Sequence, residues 1–469
     1  MKHIRLLALA AIVLVACAKP ADVTGDWQGK IEIAGSTLRI VFHVTKGADG
    51  KLAATMDSPD QNVAGIAVSS VSFSRDTLRL ESDVVRGGFV GRYDKTKGTI
   101  EGKWTQGGLP LPLTLERIDQ PVETARRAQE PEPPYPYNEQ EVTFENKAGA
   151  AKLAGTLTLP KEGAPFPAVL LVTGSGPEDR DEAVFGHRPF LVLADYLTRR
   201  GIAVLRYDDR GVGKSTGNMA DATSEDLAAD ALAGFDFLRA RPEVDPGRTG
   251  ILGHSEGGII AALAASRRPD VGFIVMLAGT GVDGEQVLAA QETLVAKAAG
   301  EDMDRVRAMT PFNRRIFRII REAPAGTDLT DQLEPVFAEV ESALAANGEP
   351  LDSAGRIALH AQVKAVQSPW FRFFLTFDPA TALARVKCPV LALFGSKDVQ
   401  VSPEQNAPAV ERALKAAGNK DYTVTVLPGL NHLFQPAQTG AVSEYQKIET
   451  TMDTSALRTV GDWILALKK

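Results

Sequence analysis

Cysteine is almost missing from this chain of 469 residues, which contains only Cys17 and Cys388. A disulfide-stapled fold and a cysteine-built metal centre are both excluded. Histidine is scarce too: the six residues show no metal-ligand spacing with one another, with cysteine or with carboxylates, so neither a metal nor another cofactor is expected. No basic run occurs and the net charge is −7, which gives no reason to expect nucleic acid as a partner. The N-terminal apolar run, Leu6 to Val15, holds only about ten residues and is too short to span a bilayer. A phosphate-binding loop is also absent. Gly213-Lys214-Ser215 has the ending of one, but the first glycine of that motif would fall on Asp208, whose charge would repel phosphate.

What is present is ordinary globular composition, 44% hydrophobic and 24% charged, in a chain too long for a single core. Lys2 and Arg5 precede the apolar run, and Ala16 stands before Cys17. Together these read as an export signal over residues 1–17. Leu14-Val15-Ala16-Cys17 resembles the lipobox of bacterial lipoproteins. The resemblance implies a lipidated Cys17 at the mature N-terminus and a protein held on a membrane by its lipid, periplasmic or at the cell surface. Ala18 in place of aspartate implies outer-membrane sorting if the source is Gram-negative. Lipidation of Cys17 would leave Cys388 without a disulfide partner, and Cys388 reads as a small buried residue at a strand start.

Residues 22–118 alternate apolar and polar side chains, as in Leu38 to Val44 and Thr77 to Glu81, with turn signals at Ala48-Asp49-Gly50 and Lys97-Gly98. A small all-β barrel or sandwich is predicted. Gly25 to Lys30 and Gly98 to Trp104 resemble lipocalin-like strand openings and closings, although packing on the rest of the chain, or spacing it from a membrane, is the simpler role. Five prolines among charges make residues 119–140 an extended linker. From residue 141 to 469, strand and helix patterns alternate, which predicts an α/β sheet of eight strands, mostly parallel.

At the centre of that sheet lies Gly253-His254-Ser255-Glu256-Gly257. It follows the β-type run Thr249 to Leu252 and precedes an Ala-rich helical run. This is the G-x-S-x-G pattern that exposes a serine on a strained strand-to-helix turn. Four further motifs flank it in order: Leu171 to Pro177, Asp208 to Ser215, Gly395-Ser396-Lys397-Asp398, and Asn431-His432. Over residues 141–469 the chain therefore resembles the α/β-hydrolase superfamily, in particular its bacterial esterase-like and serine-aminopeptidase-like members.

A serine hydroxyl needs a base and an acid to act as a nucleophile near neutral pH. The superfamily order of Ser, acid, His makes His432 the base and Asp398 the acid, with Asp283 as the rival acid. One oxyanion donor is the N–H of Glu256, which follows the nucleophile. The resemblance assigns the other to Ser175, with Gly176 as the fallback. The spacing of 143 positions from Ser255 to Asp398 implies an insertion, and residues 283–370 resemble a helical cap. Of the aromatics in Pro369 to Phe374, one or two are candidates to line an acyl pocket, while Glu178-Asp179-Arg180-Asp181 reads as a solvated charged loop.

The resulting expectation is a serine hydrolase that cleaves small-molecule carboxylic esters through an acyl-Ser255 intermediate. Aminopeptidase-like or acyl-peptide hydrolysis, and a non-catalytic binding lipoprotein on the same scaffold, remain the alternatives. The N-terminal reading is directly testable. Cys17→Ser is expected to accumulate as an unprocessed precursor that takes up no labelled fatty acid, and mature wild-type protein starting elsewhere, without lipid by mass spectrometry, would refute lipidation.

Overall fold

A computed structural model describes residues 22–33, 36–47, 49–61, 63–85, 87–106, 109–119, 127–324, 326–348, 350–351 and 353–467. The export segment with Cys17, and residues 120–126 of the linker, lie outside these described residues. The N-terminal part is one antiparallel sheet of nine strands curled into a half-barrel: β1 (Gly25–Ile33), β2 (Ser36–Lys46), β3 (Leu52–Ser58), β4 (Val63–Ala67), β5 (Ser70–Ser74), β6 (Thr77–Ser82), β7 (Gly87–Asp94), β8 (Thr99–Gln106) and β9 (Leu109–Ile118). Its spatial order, β4-β3-β2-β1-β9-β8-β7-β6-β5, follows hairpin connections except for the β1–β9 pairing that joins the two halves. Strand alternation puts Leu38, Ile40, Phe42 and Val44 on the inner face with Trp27, Phe89 and Trp104. The intervening His43 lies on the other face, with Nδ1 2.8 Å from Asp26 and Nε2 2.9 Å from Asp57.

The second sheet has eight strands: β10 (Asn138–Asn146), β11 (Ala151–Leu159), β12 (Phe166–Val172), β13 (Ala203–Tyr207), β14 (Val244–His254), β15 (Ile274–Leu277), β16 (Val390–Gly395) and β17 (Tyr422–Leu427). Their order is β10-β11-β13-β12-β14-β15-β16-β17. β10 pairs antiparallel with β11, and β11 antiparallel with β13, while the remaining pairs are parallel. This is the α/β-hydrolase fold. Strands β12, β13, β15 and β16 are buried at every position because helices cover both faces, which explains why their sequences run apolar without alternation. One face is covered by α1 (Pro189–Arg199) and the C-terminal helix α12 (Thr454–Ala466). The other carries α2 (Ser224–Arg239), α3 (Glu256–Arg267), α9 (Pro379–Leu383) and α10 (Pro403–Ala416).

Between β15 and β16 the chain leaves the sheet to form α4 (Gly284–Ala299), α5 (Met303–Glu322), α6 (Thr330–Ala346), α7 (Ser353–Ala365) and α8 (Pro369–Thr376). These helices have a small core of their own, built from Ile316, Ile320, Leu333, Val336, Phe337, Val363 and Leu375. The short helix α11 (Val442–Tyr445) follows β17.

The half-barrel and the α/β sheet touch. Phe185, from the loop before α1, packs against the half-barrel core, Gln446 Nε2 donates to the Thr37 carbonyl at 3.2 Å, and α7 lies against β9. Residues 127–137 run along the α/β unit and do not stand free of it. The Arg127 guanidinium donates to the Gln446 carbonyl at 2.7 Å, Gln129 exchanges hydrogen bonds with the backbone of Thr451 and Met452, and Tyr137 donates to Asp195 at 3.0 Å.

Candidate active site

The carboxyl ends of β12, β14, β15, β16 and β17 lie along one edge of the sheet, and the loops that leave them converge there. β14 ends at His254, and Ser255 follows with φ 53° and ψ −116°, a left-handed backbone that a non-glycine residue adopts only under local constraint. The constraint is steric. A Cβ on Gly253 would come within 1.9 Å of the Gly257 carbonyl oxygen, and one on Gly257 within 2.2 Å of the Val172 oxygen. Only glycine at both places lets α3 start this close to β12 and β14, and the tight turn lifts the Ser255 side chain above the sheet edge.

The loop after β17 brings His432 to this point. Asn431, fully buried, accepts the N–H groups of Leu433 and Gln435 at 3.0 and 2.9 Å and so folds the loop back on itself. His432 Nδ1 lies 2.8 Å from Asp398 Oδ2. The other oxygen of Asp398 accepts the N–H groups of Gln400 and Val401, both at 2.8 Å. The carboxylate is therefore fixed at both oxygens, and an Nδ1–H directed at it leaves Nε2 of His432 with its lone pair.

Asp283 does not reach this histidine. It caps α4, accepting the Gln286 N–H at 3.0 Å.

Ser255, His432, Glu256 and Ser175 line one cavity of about 250 Å³ together with Thr280, Val287, Leu288, Gln291, Trp370, Phe374, Gln400 and Val401. The N–H of Glu256 opens α3 and has no acceptor within the helix. Neither it nor the N–H of Ser175 donates to another group among the described residues. Trp370 and Phe374 of α8 stack with ring centroids 5.4 Å apart, while Phe371 turns into the cap core. The Thr280 hydroxyl, buried at the end of β15, makes no hydrogen bond among the described residues. The Glu256 carboxylate is occupied: it accepts from the Ser224 hydroxyl at 2.6 Å and from Trp370 Nε1 at 2.9 Å, tying the elbow to the cap. Thr280, Gln291 and Gln400 carry no sequence signal. Each is a common residue in an unremarkable stretch, and only the fold aims it at the cavity.

The charged loop after β12 departs from the expectation of a solvated segment. Arg180 makes a forked contact with Asp208, Nε at 2.9 Å and Nη2 at 2.7 Å, and also reaches Glu141 at 2.8 Å. Asp181 pairs with Arg206. Glu182 is buried against His254 and the Gly174 N–H, 2.9 and 2.8 Å away. Neighbouring opposite charges at the end of β13 draw the loop inward. The same Asp208 anchors the Gly213-Lys214-Ser215 turn by accepting the Lys214 N–H at 3.3 Å, a structural use of the acid that excluded a phosphate loop.

The remaining histidines serve elsewhere. His187 is buried between the Thr451 hydroxyl and the Tyr445 carbonyl, both at 2.9 Å, and His360 is exposed on α7. Cys388 packs against the sheet core, and burial pushes its thiol up to about 12.

The chain is similar to several known proteins. The family model described as "Serine aminopeptidase, S33" matches residues 188–332. The esterase EstD of Thermotoga maritima is 26% identical over 315 residues, covering 67% of this chain and 65% of its own length, so that the chain spans just under two thirds of that relative. An uncharacterized Mycobacterium tuberculosis protein is 31% identical over 135 residues, 29% of this chain and 44% of its own. Among solved structures, Est1E of Butyrivibrio proteoclasticus with bound ferulic acid is 18% identical, covering 69% of this chain and 96% of that one with a TM-score of 0.39. The Pyrococcus furiosus esterase Pf2001 is 16% identical, covering 70% and 91% with a TM-score of 0.41.

Glu178 offers a test of the loop's electrostatics. Burial first, and then the carboxylates of Glu182, Asp209 and Asp179, push its carboxyl up to about 8. The folded protein thus holds this proton to about pH 8, whereas the unfolded chain releases it near the ordinary carboxylate value, so stability falls as pH rises between the two. Glu178→Gln is expected to stabilise the protein increasingly from about pH 5 to pH 8 and by a constant amount above, on the order of a few kcal/mol. Thermal unfolding of both proteins across that range checks it, and a pH-independent difference would refute it.

Proposed function

We propose that this carboxylesterase-like α/β hydrolase cleaves small-molecule carboxylic esters through an acyl-Ser255 intermediate. The observation that carries the reading is that Ser255, the Asp398-held His432, Ser175 and Glu256 line one cavity, with the N–H groups of the last two unengaged among the described residues. His432 Nε2 takes the proton as Ser255 Oγ attacks the ester carbonyl. Negative charge then develops on the carbonyl oxygen, and the N–H groups of Ser175 and Glu256 are the donors it would meet. Collapse of the tetrahedral intermediate expels the alcohol, which takes its proton from His432. Water activated by the same imidazole then releases the acid and restores Ser255. Asp398 keeps the imidazole in the accepting tautomer and stabilises the imidazolium that forms at each step.

The cavity wall supports an ester ahead of an aminoacyl substrate. An aminopeptidase has to hold a cationic amino terminus, and the one carboxylate among the lining residues, Glu256, is already engaged by Ser224 and Trp370. A volume of about 250 Å³ suits a small acyl or alcohol group, with the Trp370–Phe374 stack as the apolar wall and Thr280, Gln291 and Gln400 as polar contacts. We place the enzyme outside the cytoplasm as a lipoprotein anchored through Cys17, on the strength of the N-terminal sequence. The half-barrel, packed against Phe185 and α7, then lies between the anchor and the hydrolase along the chain.

Two outcomes test the roles. Ser255→Ala is expected to lower ester turnover by roughly 10⁴-fold and to abolish labelling by a fluorophosphonate, since the members of such a triad act as a unit. Equal labelling of both proteins would remove Ser255 from the mechanism. Asp398→Asn is expected to cost at least about 100-fold in kcat/KM, whereas Asp283→Asn, which only weakens a helix cap, is expected to stay within a few fold. The reverse ranking in two folded variants would move the acid to Asp283.

A further inference from the structure

His254 stands immediately before Ser255 and is buried, as is its partner Glu182. Its Nδ1 lies 2.9 Å from Glu182 Oε1 and its Nε2 lies 2.9 Å from the main-chain carbonyl oxygen of His432. Both partners can only accept: one is a carboxylate and the other a carbonyl. Both ring nitrogens must therefore carry hydrogen, so the geometry calls for an imidazolium. The same Glu182 oxygen accepts the N–H of Gly174, at 2.8 Å, the residue before Ser175. Three separate loops are thus linked through two side chains: the elbow, the loop bearing the base, and the loop bearing an oxyanion donor.

We infer that His254 and Glu182 form a buried positioning brace, in which His254 fixes the main chain of the His432 loop and Glu182 fixes that of the Ser175 loop relative to Ser255. The inference rests on the ester-hydrolase reading of Ser255 and His432. A free loop carrying His432 could rotate its ring away from Ser255, and a free Gly174-Ser175 segment could turn its N–H away from the developing oxyanion. A misplacement of about 1 Å in such a site costs on the order of 100-fold in rate.

The brace also has an electrostatic side. The His254 and His432 rings are 4.8 Å apart between centroids. Glu182 holds the His254 imidazole in its charged form up to about pH 9 against the cost of burial, with Asp398 adding a smaller contribution in the same sense. The other ionisable groups facing the pair are Glu178, on the same loop as Glu182, and His432 itself. The brace thus sets a buried pair of opposite charges directly behind the His432 ring.

The test measures the second-order rate of Ser255 phosphonylation by a fluorophosphonate from pH 5 to 9, in wild type, Glu182→Gln, His254→Asn, His254→Gln and the Ser255→Ala control. Thermal unfolding establishes that each variant is folded. The amide nitrogen of asparagine falls near histidine Nδ1 and that of glutamine near Nε2, so His254→Asn keeps only the donor to Glu182 and His254→Gln only the donor to the His432 carbonyl. His254→Asn is expected to lose at least about tenfold in rate, with His254→Gln recovering part of the loss. Glu182→Gln, which removes the charge that holds His254 protonated, is expected to lose rate in the same direction. A role in stability alone would lower the unfolding temperature without separating His254→Asn from His254→Gln. Folded variants that all label within twofold of wild type would overturn the brace and leave Ser255 as the nucleophile. A wild type labelled no faster than Ser255→Ala would overturn the reading and the brace together.

Discussion

The left-handed backbone at Ser255 is the constraint on which the rest of the site depends. It exists because β14 must turn into α3 within a single residue, and because Gly253 and Gly257 allow the helix to approach the carbonyls of its own turn and of β12. The strain is held by the surroundings: the Ser255 N–H donates to the Leu277 carbonyl at 2.8 Å, locking the turn to the neighbouring strand β15. Every other element of the site is placed relative to this turn. The N–H of Glu256 is the first N–H of α3, and the cap reaches the same helix through Trp370 and Glu256.

Around the elbow, the sheet edge is unusually rich in buried charge. Asp208, Asp209, Arg206 and Arg210 leave β13 together, and all are buried. Three are paired with an opposite charge: Asp208 with Arg180, Arg206 with Asp181, and Arg210 with Asp230 at 2.7 Å; Asp209 meets the Thr173 hydroxyl and the Glu178 N–H, both at 3.1 Å, and burial pushes its carboxyl well above the ordinary range. Removing one partner of such a set leaves an uncompensated charge in a low-dielectric setting, which is more damaging than the pair is stabilising. The network therefore acts less as a source of stability than as a means of giving the β12 loop one conformation, and that loop carries Ser175.

The cap and the half-barrel constrain the site from outside. α4 and α8 contribute Val287, Leu288, Gln291, Trp370 and Phe374 to the cavity wall, so the shape of the pocket is decided by helices that lie outside the sheet. The half-barrel touches the α/β unit through Phe185, and the Phe185 ring meets Tyr445 edge-on at 5.8 Å. Tyr445 in turn accepts from Gln400, a cavity residue, at 2.8 Å. The N-terminal module is thus packed within two side chains of the cavity.

How much of this was legible in the chain follows from the range of the interactions involved. The eight strands, the elbow, and the order Ser255, Asp398, His432 are written locally, because apolar runs buried on both faces and glycines forced by close backbone approach leave their mark on adjacent residues. The Cβ clashes at Gly253 and Gly257 could not be satisfied by any other residue, so the motif and its geometry are the same fact. Motif order favours Asp398 over Asp283, yet both follow strands, and only the tertiary structure turns Asp398 toward His432 and uses Asp283 to cap α4. The charged loop at residues 178–181 reads as solvated because charge is usually exposed, and its partners Arg206 and Asp208 lie on and just after another strand. The role of His254 was hidden in the same way, since its two acceptors, Glu182 and the His432 carbonyl, are 72 and 178 residues away. Local sequence determined which elements form and where Ser255 stands. Pairing between distant charges, whose partners only the folded sheet brings within hydrogen-bonding distance, decided what surrounds it.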